Sequence, residues 1–148
     1  MANVEIKVFE NISIKEKIVF EKFIDENWGE DKLSFLAVPR LWVVGYRKNK
    51  TVGMFCVFDD VNMGRIDRVV TRSDCRRTGI MSQMLRKFFG EIVEKYNFDM
   101  AILETDLRKT GKLFGRIGFM VVAGGDKEKT VMVLGLKNKN AVAKFLML

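Results

Sequence analysis

The feature that most constrains the fold is a long amphipathic helix that the sequence places between two strands. Apolar side chains recur at three- and four-residue steps from Ile80 to Tyr96, which predicts a helix that buries one face. The strand Arg65–Thr71 precedes this helix and the apolar run Met100–Leu103 follows it. An apolar run after a crossover helix is typical of a buried parallel strand. We therefore expect a strand–loop–helix–strand crossover.

The segments outside this crossover also show strand and helix patterns. Before it, the patterns predict a strand at Val4–Phe9, a helix capped by Asn11 or Ser13 and ended by 27–29, a short helical piece at Leu33–Val38, and a hairpin of Leu41–Tyr46 with Thr51–Phe58. After it, they predict a short helix at Lys112–Ile117 and a hairpin of Phe119–Val122 with Thr130–Leu136. Because no linker or repeat interrupts this order, we expect one domain over residues 1–148, in the α/β (α+β) class.

Composition excludes several classes of site. Hydrophobic residues make up 48% of the 148 residues and charged residues 30%, a balance typical of a globular domain. The chain has no histidine, which excludes His-based triads, His-ligated zinc and an imidazole base. Two cysteines, Cys56 and Cys75, cannot form a disulfide framework or a four-thiolate site. We expect no metal, no membrane span and a reducing, cytoplasmic setting.

The loop Ser73–Gly79 is the segment that points to chemistry. The net charge of +7 favours an anionic partner, and a helix N-terminus offers unpaired amide hydrogens and the positive end of a dipole. Backbone donors from Arg77 to Met81, beside the side chains of Arg76 and Arg77, suit a pyrophosphate. Gly79 lets an anion approach the backbone closely because it has no Cβ atom. The alternative is a solvated turn before a helix.

The segment Arg76–Met81 resembles the signature of the GNAT acetyltransferase superfamily. That signature is Gln or Arg, two variable residues, Gly, one variable residue, and then Gly or Ala. Upstream, Val69–Thr71 looks like the strand whose backbone meets the pantetheine arm of acetyl-CoA. Downstream, Leu113–Phe119 is similar to the family segment Leu-Tyr-Glu-Lys-x-Gly-Phe. The resemblance implies a mixed, mostly antiparallel sheet of six or seven strands, with the crossover at its centre and helices on both faces.

The resemblance also implies an activity and a set of binding residues. Enzymes of this family move an acetyl group from acetyl-CoA to a primary amine, which attacks the thioester directly. The residues of this chain that match the family's cofactor contacts are Val69, Val70, Thr71, Arg76, Arg77, Thr78, Gly79, Ile80, Met81 and Phe114. Acetyl-CoA and an amine acceptor are therefore the expected partners.

Three positions depart from the family pattern. Met81 stands where the signature ends in Gly or Ala, so its side chain must point away from the phosphate. Phe114 replaces the tyrosine that often protonates the departing thiolate. Leu107 stands near the position where the family often has an asparagine that contacts the cofactor. The role of general acid is then empty or filled elsewhere, for which Tyr46 and Tyr96 are the candidates.

The base that takes a proton from the amine must be a carboxylate, a tyrosine or water, because the chain has no histidine. Glu104 and Asp106 lie at the end of the predicted buried strand, where crossover folds often carry their sites. Asp67 lies two residues before Val69, on the strand that leads to the loop. Glu104 and Asp67 are the catalytic candidates, and Asp106 follows them. The alternative for each carboxylate is an ion pair with a nearby arginine: Arg65, Arg68 or Arg108.

Other functions and partners stay open at this level. Phe114 and Met81 favour a GNAT-fold module that binds CoA, or no longer binds it, without turnover. Nucleic-acid binding is disfavoured because the positive charge is not concentrated in one helix or tail. The net charge argues against a strongly cationic acceptor, unless an acidic cleft forms from Asp25, Glu26, Glu30 and Asp31. The apolar segment Ala141–Leu148 leaves a homodimer contact open.

Overall fold

The computed structural model describes residues 3–28, 38–60, 63–124 and 129–136. The strands of this part are β1 (Glu5–Phe9), β2 (Leu41–Arg47), β3 (Lys50–Asp60), β4 (Met63–Thr71), β5 (Met100–Thr105), β6 (Met120–Ala123) and β7 (Thr130–Gly135). The α-helices described are α1 (Ile14–Asn27), α2 (Ile80–Lys87) and α3 (Leu107–Ile117). Within the described residues the strands form one seven-stranded sheet in the order β1-β2-β3-β4-β5-β7-β6.

The sheet is mixed, and most of its pairings are antiparallel, as predicted. The pairs β1–β2, β2–β3, β5–β7 and β6–β7 are antiparallel, whereas β4 and β5 are parallel. The parallel register aligns Met63 with Met100 and Arg65 with Ile102. This pair confirms the predicted crossover, because parallel neighbours require a connection that returns across the sheet.

The crossover helix is less regular than its amphipathic pattern predicts. After α2 ends at Lys87, the chain widens into a π-helical turn at Phe88–Ile92 and then tightens into a 3₁₀ turn at Val93–Lys95. In the π turn the N–H of Val93 donates to the carbonyl of Phe88, five residues earlier. Phe88 and Val93 are both buried, so the wider turn allows two apolar residues at this spacing to face the core.

Helix α1 begins at Ser13, one of the two predicted caps. The Ser13 hydroxyl accepts a hydrogen bond from the Glu16 N–H at 3.1 Å, and the Glu16 carboxylate accepts one from the Ser13 N–H at 3.0 Å. This reciprocal capping box satisfies two amide hydrogens that the first turn leaves unpaired. Asn11 instead has a left-handed backbone, with φ of 49°. The buried face of α1 carries Phe20 and Ile24.

Helix α3 starts five residues before the predicted Lys112. The Asp106 side chain caps it by accepting a hydrogen bond from the Arg108 N–H at 2.9 Å. The helix ends at Ile117, as predicted, and Gly118 follows it with a left-handed φ of 118°. The sequence pattern missed the first turn because Gly111 and a run of polar residues follow Leu107, and the cap decides where the helix begins.

The chain divides into two compact units. The first comprises Met1–Phe58 and Arg68–Met84, and the second comprises Asp59–Asp67 and Leu85–Leu148. The core of the first unit contains Phe20, Ile24, Trp42, Val44, Met54, Cys56, Phe58 and Val70. The second unit contains a chain of aromatic contacts made by Phe88, Phe89, Phe119 and Phe114. A single domain over 1–148 stays a prediction.

Several predicted segments fall outside the described residues. Residues 29–37 carry most of the helical piece predicted at Leu33–Val38, together with Glu30 and Asp31. The apolar segment Ala141–Leu148 is also outside the described part. None of the helices in that part has the length and apolar content needed to cross a membrane.

Candidate active site

Two glycines place the start of α2 against the sheet. Gly45 of β2 and Gly53 of β3 face each other in the antiparallel register. A Cβ atom added at Gly45 would lie 2.5 Å from the Met84 sulfur, and one added at Gly53 would lie 2.7 Å from it. Met84 is fully buried, so the missing side chains make room for it. The glycine pair thereby sets how closely α2 and the loop before it approach β2 and β3.

The loop that enters α2 has an unusual backbone. A 3₁₀ turn at Ser73–Cys75 is followed by left-handed residues at Arg77, with φ of 63°, and Gly79, with φ of 80°. The Gly79 carbonyl accepts the first helical hydrogen bond, from the Gln83 N–H at 3.0 Å. A Cβ atom at Gly79 would have no heavy atom within 4 Å. The chain at Gly79, directly before α2, therefore borders open space, and the first turn of a helix leaves amide hydrogens unpaired.

Arg76 and Arg77, the two arginines of the predicted anion-binding loop, differ in their contacts. The Arg76 guanidinium donates a hydrogen bond to the main-chain oxygen of Asn27, at the end of α1. Arg77 is exposed, and its guanidinium makes no hydrogen bond or ion pair with any other described residue. The Thr78 hydroxyl is also engaged, because it donates to the carbonyl of Cys75. Within this loop, Arg77 is therefore an arginine whose guanidinium is not held by another described residue.

Ile80 and Met81 contribute backbone and not side chains to the loop surface. Both side chains are buried. The Met81 terminal methyl lies 3.4 Å from the position of a Cβ atom at Gly53, which means that the Met81 side chain points toward β3. A methionine at the last position of the signature requires this orientation, because its side chain must point away from the phosphate.

The strand before the loop contains a backbone irregularity. Arg68 has a left-handed φ of 53° inside β4, which a residue with a side chain rarely adopts. The parallel register with β5 covers Met63–Arg65, upstream of this residue. The Arg68 guanidinium lies 5.0 Å from the centre of the Phe58 ring. A left-handed residue within a strand changes the direction of the residues that follow it. Here those residues are the predicted cofactor-binding segment Val69–Thr71. In that segment Val70 is buried, whereas Val69 and Thr71 are half-buried.

The structure separates the three carboxylate candidates. Asp67 accepts a hydrogen bond from Arg65 at 2.9 Å, and Asp106 is held by the Arg108 side chain at 3.1 Å in addition to capping α3. The hydrogen bond from Arg108 lowers the pKa of Asp106, which makes that carboxylate a weaker base. Glu104 is exposed and has no ion-pair partner among the described residues. The ion-pair alternative therefore describes Asp67 and Asp106, but not Glu104.

Phe114 lies in the core of the second unit. It is buried, and its ring centre is 5.7 Å from that of Phe119, which in turn is 5.5 Å from that of Phe89. Tyr46, a candidate for the missing acid, is half-buried beneath the Lys7 ammonium, which lies 5.4 Å from its ring centre. Burial, with a smaller contribution from Glu16, raises the pKa of the Tyr46 phenol. The other candidate, Tyr96, is also half-buried.

The acidic residues of α1 are partly compensated by lysines. A shallow groove along this helix is lined by Ile18, Glu21, Lys22, Asp25 and Glu26. Lys22 pairs with Glu26 at 3.7 Å, and Lys17 pairs with Glu21 at 3.7 Å. The predicted acidic cleft is thus, over its described residues, a face of mixed charge. The same described part contains no group of three or more cysteine or carboxylate side chains that could hold a metal ion.

The family model described as "Acetyltransferase (GNAT) family" matches residues 9–119. The chain belongs to the GNAT acetyltransferase family. No curated protein matches this GNAT chain. The chain thus belongs to the family although it departs from the family pattern at Met81 and Phe114.

Solved structures similar to this GNAT chain include two bacterial enzymes of known source. An acyl-CoA N-acyltransferase from Pseudomonas aeruginosa is 14% identical, with a TM-score of 0.70 over 88% of this chain and 99% of that chain. The ribosomal-protein-S18-alanine N-acetyltransferase from Escherichia coli is 10% identical, with a TM-score of 0.70 over 93% of this chain and 97% of that chain.

A third GNAT-like structure is an aminoglycoside 6'-N-acetyltransferase complexed with coenzyme A. It is 13% identical, with a TM-score of 0.69 over 91% of this chain and 98% of that chain. At these identities the likenesses establish the fold, and they confirm the predicted mixed, mostly antiparallel sheet of a GNAT protein.

Sequence reasoning missed three residues that shape this GNAT site. The sequence pattern places Asn27 only at the end of α1, although its side chain accepts a hydrogen bond from the Ser73 N–H, 46 positions away. Gly45 and Gly53 were assigned only to strands of the hairpin. Glycines in the middle of two paired strands were a usable signal, because such glycines often mark a close approach. No spacing pattern signals the contact of Asn27.

Proposed function

We propose that this GNAT protein transfers an acetyl group from acetyl-CoA to a primary amine. The observation that carries the proposal is the left-handed Gly79 directly before α2, where an added Cβ atom would meet no heavy atom within 4 Å. Family membership, which implies acyl transfer from CoA, supports the same conclusion.

The residues of the loop fit a pyrophosphate. The amides of Gly79, Ile80 and Met81 would donate to it at the positive end of the α2 dipole. The Arg77 guanidinium would add a positive charge beside them. Because a Cβ atom at Gly79 would meet no heavy atom within 4 Å, a side chain has room there, and a negatively charged one would repel the phosphate. We assign the pantetheine arm to the backbone of Val69–Thr71, which the left-handed Arg68 re-aims.

When bound, acetyl-CoA supplies an activated thioester carbonyl. Glu104 accepts a proton from the attacking ammonium at its carboxylate, directly or through water, so that the neutral nitrogen can form the C–N bond as the C–S bond breaks. A backbone N–H near Val69 or Val70 stabilises the negative charge that develops on the carbonyl oxygen. Because Phe114 has no proton to give, water relays to the departing sulfur the second proton that the nitrogen loses when the amide forms.

Isothermal titration with acetyl-CoA tests the binding step. We expect the wild type to bind, Gly79→Asn to bind within about threefold of it, and Gly79→Asp to bind at least about tenfold more weakly, because like charges a few ångströms apart repel by 1 kcal/mol or more. Asn and Asp have the same size and both tolerate a left-handed backbone, so the pair isolates the charge. A wild type that does not bind, or two variants that bind equally, contradicts the proposal.

A CoA-binding module without turnover is the second candidate, because Phe114 is buried in the core and leaves the usual acid position without a proton donor. Release of free thiol from acetyl-CoA in the presence of a panel of primary amines separates the two functions. Amine-dependent thiol release that Glu104→Gln reduces supports the transferase. Tight binding of acetyl-CoA with no thiol release from any amine of the panel supports the module.

A further inference from the structure

Asn27 joins the last turn of α1 to the loop that precedes α2. Its side chain is buried, at 7% exposure. The side-chain amide donates to the Phe23 carbonyl at 2.8 Å, within α1, and the side-chain oxygen accepts from the Ser73 N–H at 3.0 Å. Its main-chain oxygen accepts from the Arg76 guanidinium. One residue thus holds the loop at two points, Ser73 and Arg76.

The chemistry of asparagine suits this position. Its amide presents a donor and an acceptor in opposite directions, so it can bond its own helix and the loop at once. An apolar residue would leave the Ser73 N–H without that acceptor in a part-buried setting, which is costly. Arg76 brings its positive charge to the C-terminal end of α1, where the helix dipole is negative. Both contacts therefore favour the same placement of the loop on α1.

The two held points lie immediately before the residues that would bind the anion. Ser73 opens the 3₁₀ turn, and Arg76 directly precedes the left-handed Arg77. Gly79 follows within the same short loop. Because a left-handed conformation is not the preferred state of an arginine, contacts on the preceding residues are needed to select it. Asn27 makes two of these contacts, at Ser73 and Arg76, and the hydrogen bond from the Thr78 hydroxyl to the Cys75 carbonyl adds another.

We propose that Asn27 is a positioning residue for the acetyl-CoA phosphate site. It does not touch the cofactor; it fixes the loop so that Arg77 and the amides after Gly79 face the anion together. This inference rests on the proposed function, because the site it positions is the acetyl-CoA site. The hydrogen bond to Ser73 can nevertheless be tested in the free protein, so a failure of the positioning role is distinguishable from a failure of the proposed function.

The first test compares Asn27→Ala with Ile24→Val, a fully buried neighbour on α1. Both variants lose stability, but Ile24→Val keeps the contacts to the loop. For Asn27→Ala we expect amide exchange at Ser73 to be at least about tenfold faster. We also expect the Kd for acetyl-CoA to rise about tenfold, because the loss of one hydrogen bond changes an equilibrium constant by about that factor. For Ile24→Val we expect both quantities within about twofold of wild type. Equal effects in the two variants overturn the proposal.

The second test works from the loop side and avoids a buried substitution. Ser73→Pro removes the N–H that donates to Asn27, whereas Ser73→Ala keeps it. Ser73 is exposed and follows Arg72, whose ψ of 134° is compatible with a following proline. We expect Ser73→Pro to weaken acetyl-CoA binding about tenfold and Ser73→Ala to change it less than about twofold. Equal affinities in these two variants overturn the proposal.

The two proposals give different patterns of results. In one pattern, the wild type does not bind acetyl-CoA, but amide exchange at Ser73 is still faster in Asn27→Ala. The contact between Asn27 and the loop is then real, but the loop is not a cofactor site, and the inference fails together with the proposed function. If the wild type binds and Asn27→Ala binds equally well, the proposed function stands and the positioning role alone is overturned.

Discussion

Replacing Gly45 with alanine is expected to destabilise the protein, even though the backbone there does not lie in the left-handed region. The new Cβ would lie 2.5 Å from the Met84 sulfur and 3.1 Å from the carbons on either side of it. Normal contacts between such atoms are about 3.5–4.0 Å, so Met84 must leave its rotamer or α2 must move away from the sheet. Overpacking of this kind costs about 1–3 kcal/mol.

A double-mutant cycle with Met84→Ala tests this explanation. Met84 is fully buried, and its truncation alone is expected to cost about 2–5 kcal/mol. In the double variant Gly45→Ala, Met84→Ala the added methyl group meets no sulfur and fills part of the vacated space. We expect the double variant to be more stable than the sum of the single effects predicts, by about 1–3 kcal/mol, the clash that disappears.

Urea denaturation of the four proteins, followed by tryptophan fluorescence, measures the free energies of unfolding. Gly115→Ala is the control, because a Cβ atom there meets no heavy atom within 4 Å; in a helix this change is expected to stabilise by about 0.5–1 kcal/mol. Additivity of the Gly45 and Met84 effects within about 0.5 kcal/mol refutes the packing argument. A rise in the Kd for acetyl-CoA in Gly45→Ala that the double variant reverses would link this contact to the loop.

Further predictions concern the charged side chains. Arg77→Gln is expected to weaken acetyl-CoA binding about tenfold at low salt and less at high salt, since its charge is exposed; an unchanged Kd in titrations at both salt concentrations contradicts this role. Glu104→Gln is expected to lower kcat about 10²-fold or more with little change in KM, whereas Asp67→Asn changes kcat far less; steady-state kinetics with equal losses refute the assignment. The lowered pKa of Asp106 beside Arg108 means that its stabilising charge is present above its unfolded pKa of ~3.9 and is lost as the pH falls through the lower folded value. The free energy of unfolding of the wild type should therefore exceed that of Asp106→Asn at neutral pH and converge with it in acid; a constant difference across that pH range contradicts this.

The crossover could be predicted from the sequence because its signals are local. Apolar spacing after Ile80 predicts a helix, the run from Met100 predicts a buried strand, and Ser13 with Glu16 forms a capping box within one turn. Each of these depends on residues a few positions apart, where backbone geometry alone decides which side chains share a face. The π-helical turn at Phe88–Ile92 was not predicted, because helical spacing does not distinguish residues five apart that are both drawn to the core.

The roles within the candidate site were decided by tertiary structure. Arg76 and Arg77 are the same residue type at adjacent positions, and only the fold places the end of α1 beside one of them. Likewise, Glu104 and Asp106 are separated by one residue, and the cap of α3 engages the second. The order of elements and the position of the loop depend on local periodicity, so both could be predicted from the residues alone. Which side chains remain available for chemistry depended on partners far away in the chain, whose proximity exists only after the sheet and helices have packed.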